Sequence, residues 1–259
     1  MMQVIPYCFT KNEVIHNFKD KYQFDNWIKT NLKNDRIVKI RNSLYASLDS
    51  MKSTNVSKYE IAAKVTPNGY IGYHSALEYY GLANQVYNAV TICSDTRFNE
   101  FTFEGITYSH KSSFNFTQVL LVKGGLIRVT SLERTLIDCI DKVDLAGGIE
   151  EIMNALDSVH FLDESKLLAV LKSIDSIYLY QKVGYIFEQY RSHIKLSDNF
   201  FDECKKHLTN QVKYFLKNEF NNLKYNDTWR LIAPLTLFDS PYEELQNELV
   251  KSGIEEFSK

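Results

Sequence analysis

The sequence predicts an α+β chain in three parts. A small head of two helices and a hairpin comes first, then a larger α+β region with a mixed sheet, then a mostly helical C-terminal part. Three observations predict it. Apolar residues recur at helical and then at strand spacing before residue 49. Short apolar runs separated by turn residues fill the stretch from Val86 to Val129. Beyond about residue 160 the spacing is almost wholly helical.

The head is read element by element. Thr10-Lys11-Asn12-Glu13 has the T-x-x-E form of a capping box, and Val14, Ile15 and Phe18 follow at helical spacing. A short helix is expected from about 10 to 18. Phe24, Trp27, Ile28 and Leu32 then stand at i, i+3, i+4 and i+8, which predicts an amphipathic helix from Gln23 to Lys33. Its opposite face carries Gln23, Asn26, Lys29, Thr30 and Lys33, all able to hydrogen-bond bases or phosphates and none acidic. Ile37 to Ile40 and Leu44 to Leu48 read as paired strands. The turn is Arg41-Asn42-Ser43, where Asn42 tolerates a positive φ. Residues 49–58 read as a linker.

Later elements follow the same logic. Tyr73 to Tyr80 reads as a helix ended by Gly81. Val86 to Cys93, Phe98 to Phe103, Ile106 to His110, Val119 to Val122 and Leu126 to Val129 read as strands, with Glu104-Gly105 turning one hairpin. Thr130-Ser131-Leu132-Glu133 reads as a second capping box, opening a helix to about Ile140. Ile149 to Leu156, Asp163 to Leu171 and Ile177 to Tyr190 read as helices. A longer helix from Asp198 is expected to bury Phe201, Cys204, Leu208, Val212, Phe215 and Leu216. Ser240-Pro241-Tyr242-Glu243 opens a last helix to about Val250. The expected domains are residues 1–62 and 66–259, the second divided into an α+β part (66–158) and a helical part (159–259).

Composition bounds the function classes. The 259 residues carry a formal net charge of -2, with 44 % hydrophobic and 24 % charged residues, as in ordinary globular chains. No run of about 18 apolar residues marks a transmembrane helix. Met1 to Tyr7 lacks the order of a signal peptide, so a cytoplasmic chain is expected. Cys8, Cys93, Cys139 and Cys204 are far apart, which suits free thiols in a reducing compartment. Cys204 and His207 have C-x-x-H spacing, but no second ligand pair accompanies them.

Charge is unevenly distributed. Residues 1–65 hold eleven Lys+Arg and six Asp+Glu, a balance of +5; the rest carries -7. Helix, helix and short hairpin in a basic head is the order of a winged helix-turn-helix, whose second helix enters the major groove. A helix before residue 10 would complete the three-helix version, and only nine residues precede it. Lys29, Lys33, Lys39 and Arg41 are expected on phosphates, with Arg41 at the hairpin tip. Gln23, Asn26 and Thr30 are the base-reading candidates. Lys11 and Asn42 complete the expected DNA-binding set. Tyr45 is expected to pin the hairpin to the helices.

Three segments together resemble the AbiEi family, the antitoxin and transcriptional repressor of type IV toxin–antitoxin systems used in bacterial abortive infection, a phage defence. The first is Ile37 to Ala46, which carries Ser43 where the family usually has Gly. The second is Gly69 to Leu82. The third is Ile127 to Asp138, continued by Leu145 to Glu150. The match covers roughly residues 9 to 157. The resemblance implies a winged helix that binds inverted repeats in double-stranded promoter DNA and represses its own operon. It further implies a C-terminal domain that counteracts a nucleotidyltransferase-like toxin without a stable complex.

His74, Glu133, Arg134 and Asp138 suggest acid–base chemistry. The capping box accounts for Glu133, however, and an i, i+4 surface pair accounts for Arg134 and Asp138. Glu164-Ser165-Lys166 and Glu203-Cys204-Lys205 have the E-x-K letters of a nuclease but fall in segments read as helices. No Walker loop or G-x-G-x-x-G is present. No catalysis, cofactor, metal or membrane partner is expected. The alternative to an antitoxin is a plain winged-helix regulator whose C-terminal domain binds a ligand or dimerises.

Overall fold

The computed structural model describes residues 6–216, 222–234 and 237–238. It is an α+β structure with a mixed sheet, as the sequence predicts. Its contacts separate two compact units, residues 1–174 and 175–259.

The first unit opens with β1 (Cys8–Thr10), α1 (Lys11–Val14), a single 3-10 turn over Ile15–Asn17 and α2 (Lys21–Lys33). The hairpin β2 (Ile37–Arg41) and β3 (Leu44–Ser47) follows. The three strands form one antiparallel sheet in the order β1-β3-β2. The first capping box is present: the Glu13 carboxylate accepts from the Thr10 N–H at 2.8 Å and from its hydroxyl at 3.0 Å. Phe9, Val14, Phe24, Ile28 and Ile37 form the core of the head. Phe9 stacks on Tyr45 at 5.6 Å, so Tyr45 pins the hairpin to the helices.

The expected linker, residues 49–58, is non-helical as far as Ser57, and a helix that was not foreseen begins at its last residue. Residues 58–65 form α3 (Lys58–Val65), started by a capping box between Ser57 and Glu60. The S-x-x-E spacing and the apolar set Tyr59, Ile61, Ala62 and Val65 are both in the sequence. This helix packs against β1. Among the described residues no helix precedes β1, and residues 1–5 lie outside them.

A six-stranded sheet follows, built from β4 (Tyr70–Ile71), β5 (Ala89–Ser94), β6 (Phe101–Phe103), β7 (Ile106–Ser112), β8 (Val119–Val122) and β9 (Ile127–Thr130). Its order is β6-β7-β5-β4-β9-β8. β5–β7 and β4–β9 are parallel; the other pairs are antiparallel. Glu104 (φ 47°) and Gly105 (φ 78°) make the expected tight turn between β6 and β7. The helices of this region are α4 (His74–Tyr79), α5 (Leu132–Asp141), α6 (Val143–Ala146), α7 (Ile149–Asp157) and α8 (Glu164–Ile174).

The domain boundary expected between 62 and 66 is corrected. Ile40, Leu44 and Ala46 of the hairpin, Ile61 and Ala62 of α3, and Ile71, Val90, Ile92 and Val129 of the large sheet belong to one hydrophobic core. Burial of a shared core removes the reason for a hinge there.

The second unit contains α9 (Ile177–Gln189), α10 (Asp198–Lys206), β10 (Lys213–Tyr214), β11 (Leu223–Asn226) and β12 (Leu231–Pro234). The strands form a sheet in the order β10-β12-β11. A mostly helical tail was expected, and this three-stranded sheet was not foreseen in it. The helix from Asp198 ends at Lys206, because Thr209 and Asn210 are poor helix formers. Phe215 is buried as expected, but next to a strand. Tyr225 pairs with Ile232 in the β11–β12 ladder, and Trp229 is fully buried. The expected helix from Ser240 to Val250 lies outside the described residues.

Candidate nucleic-acid interface

The recognition candidate is α2. Asp20 caps it, its carboxylate accepting from the Gln23 N–H at 2.8 Å. Phe24 and Ile28 anchor one side in the head core, and Asn31 is buried beside them. The Asn31 amide is satisfied by donating to the Trp27 carbonyl at 2.8 Å. Burial of that side forces the other side outward. At about 100° per residue, Tyr22, Gln23, Asn26, Lys29, Thr30 and Lys33 fall within an arc of about 120°. All six are exposed, and none is acidic.

The electrostatics sharpen this face. Lys19, Lys21, Lys29, Lys33, Arg36 and Lys39 are all exposed, and none makes an ion pair among the described residues. Three other head cations are paired. Lys52 pairs with Asp35 at 2.6 Å, Lys58 with Glu78 at 2.5 Å, and Lys64 with Glu13. The unpaired positive charge of the head therefore concentrates along α2 and the strand after it. Lys19, Lys21, Tyr22 and Arg36 are additions to the expected set. The Lys and Arg among them were legible as charge, but their freedom from partners was not.

Four expected contacts are repositioned. Arg41 was expected on phosphate at the hairpin tip. Its guanidinium instead lies over the rings of Phe98 at 5.4 Å and Phe101 at 4.9 Å, and its Nη1 is buried. A cation over an aromatic face is attracted by about 0.5–1 kcal/mol at exposed sites and by about 2 kcal/mol or more when desolvated. Asn42 is exposed, but it lines a cleft of about 520 Å³ beside the end of α3 and the β8–β9 turn. The positive φ of the turn belongs to Ser43 (63°), not to Asn42. Lys11 is half-buried, with its Nζ 5.4 Å from the Phe24 ring. Gln23 is exposed, but its Oε1 accepts the Lys19 N–H at 3.3 Å. Asn26, Lys29, Thr30 and Lys33 lie together on the exposed face of α2, and Lys39 is exposed on β2.

The region around the large sheet holds a buried polar cluster. Arg134 Nε donates to both Asp138 oxygens at 2.7 Å, and Nη1 donates to the Thr117 carbonyl at 3.0 Å. The pair is buried rather than on the helix surface as expected. Burial pushes the Asp138 carboxyl up to about 6 against the pull of Arg134. His74 Nε2 lies 3.1 Å from the Glu151 carboxylate, which also accepts from the N–H groups of Asn84 (2.7 Å) and Gln85 (3.1 Å). The helix cap at α5 is Ser131, which accepts from the Arg134 N–H at 3.2 Å. Glu133 is therefore not a capping residue; it accepts from the Asp163 N–H at 3.3 Å and lies 3.5 Å from Lys166. Among the described residues no group of three His, Cys, Asp or Glu is placed to hold a metal ion. His207 stacks on Tyr180 at 4.2 Å. The two E-x-K triplets lie in α8 and α10. No helix among the described residues is long and apolar enough to cross a membrane.

No family model matches the chain, and no curated protein does. Among solved structures, the chain is similar to the RV2827C protein from Mycobacterium tuberculosis. The TM-score is 0.63 at 12 % identity, covering 93 % of this chain and 90 % of that one. At that identity the likeness concerns the fold alone.

Proposed function

We propose that the chain is a DNA-binding repressor of its own operon and a type IV antitoxin. The head acts as a winged helix that seats α2 in the major groove of promoter inverted repeats. The rest of the chain counteracts a nucleotidyltransferase-like toxin in the cytoplasm. One observation carries the DNA reading: the exposed face of α2 is free of acids and flanked by cations that make no ion pair among the described residues. The β1-β3-β2 sheet behind it supports the same reading, because a three-stranded sheet with a hairpin backs the second helix of winged helices.

The antitoxin reading rests on the resemblance to the AbiEi family, and one feature adds support. The second and third resembling segments meet in space: His74 from one reaches Glu151, adjacent to the end of the other. Ile71 of the second segment also pairs with Val129 of the third in the large sheet. The test has two arms. The full chain should shift duplex DNA from upstream of its own gene, and it should restore growth when the neighbouring gene is expressed. Failure of the first arm removes the repressor, and failure of the second removes the antitoxin. The cleft at the hairpin tip favours a second reading, a plain regulator that binds a small ligand. DNA binding without growth rescue selects it.

A further inference from the structure

Within the DNA-binding reading, on which this inference rests, the face of α2 is not uniform. The N-terminal half of a groove-bound helix meets base edges, and flanking cations meet phosphates. On α2 that half presents Tyr22, Gln23 and Asn26 outward. A bidentate amide contact needs an available lone pair on the carbonyl oxygen and a free NH2 group, both aimed at the base. Gln23 is less suited, since the Lys19 N–H at the helix start occupies one lone pair of its Oε1 and holds the amide back toward the helix. Asn26 is better suited: its side chain is exposed and makes no hydrogen bond among the described residues. It also lies near the middle of the exposed arc, directly opposite the buried Phe24, Ile28 and Asn31. Tyr22 precedes it by one turn on the same stripe and is 75 % exposed. No Arg stands on α2, and Arg makes the commonest contact to guanine.

We propose that Asn26 is the specificity-determining residue of this protein: it reads one adenine in the major groove, while the Tyr22 ring packs on the methyl group of a neighbouring thymine. Lys29 and Lys33, one and two turns further on, hold phosphates and carry no sequence information.

The test uses the full chain and a pool of duplexes with a randomised core. Selection should yield sites with one adenine held constant beside a thymine. Asn26→Ala should make that position indifferent and weaken the selected site by about tenfold to hundredfold. Its affinity for an unrelated duplex and its salt dependence should stay as in the wild type. Alanine at an exposed helix position favours the helix, so thermal melting should be unimpaired. Selected sites without a constant adenine, or an unchanged preference in Asn26→Ala, would overturn the proposal. Absence of binding to every duplex would instead overturn the DNA reading beneath it.

Discussion

Ser43 shows how a residue can be misplaced while its neighbourhood is read correctly. The hairpin was legible from two apolar runs and a polar turn. Asn42 is the turn residue that tolerates a positive φ on sequence grounds, yet Ser43 adopts one, at 63°. A left-handed residue with a Cβ costs about 1–2 kcal/mol, and glycine brings back about 0.5–1 kcal/mol in entropy. Ser43→Gly should therefore raise stability by about 0.5–1 kcal/mol, seen as a higher denaturant midpoint with unchanged slope. A lower midpoint would place the strain elsewhere. Arg41 is the larger surprise. Charge and position at a turn suggested phosphate, but only the folded chain brings Phe98 and Phe101 beneath it. Arg41→Ala should cost about 1–2 kcal/mol of stability. A variant as stable as the wild type would remove the clasp.

At the scale of elements, long amphipathic patterns were legible and short or non-local ones were not. α2 was legible because Phe24, Trp27, Ile28 and Leu32 repeat at helical spacing over three turns. α3 follows the polar linker and was not foreseen, although its Ser57–Glu60 capping box is local. The second capping box does not form: the cap is Ser131, one residue later than expected, and the residue at N3 is Arg134. Thr130 Oγ1 is 2.7 Å from the Thr135 hydroxyl, which leaves the cap to Ser131. The small sheet of β10, β11 and β12 depends on distant packing. Trp229 is fully buried, and its Nε1 donates to Glu188 of α9 at 2.7 Å. Gly184 on the same helix makes room for it: a Cβ there would come within 2.0 Å of the indole. Gly184→Ala should therefore destabilise residues 175–259 by about 1–3 kcal/mol or more through overpacking. Tryptophan fluorescence would report it as earlier exposure of Trp229 on heating, and an unshifted transition would contradict this packing.

At the scale of the whole molecule, charge and compactness divide the chain in different places. Residues 1–65 hold a balance of +5, residues 66–174 have eight Lys+Arg against thirteen Asp+Glu, and residues 175–259 have eleven against thirteen. The basic head and its acidic neighbour nevertheless share one core, in which Leu44 and Ala46 belong with Ile71 and Val90. Sequence showed the charge step because charge is local. It could not show the shared core, which exists only when strands distant in the chain meet. A fragment of residues 1–174 should melt cooperatively, and a fragment of 66–259 should not, because it lacks the hairpin side of its core. Cooperative melting of 66–259 at the full-length temperature would restore a boundary near residue 65. The central claim is that α2, and not the hairpin tip, grips DNA. The most direct measurement is the slope of log affinity against log salt for the full chain on its own upstream duplex. Lys29→Ala with Lys33→Ala should flatten that slope by about 1.8, at about 0.9 per phosphate, and Arg41→Ala should leave it unchanged. A wild-type slope in the double variant, or a flattened one in Arg41→Ala, would contradict the account.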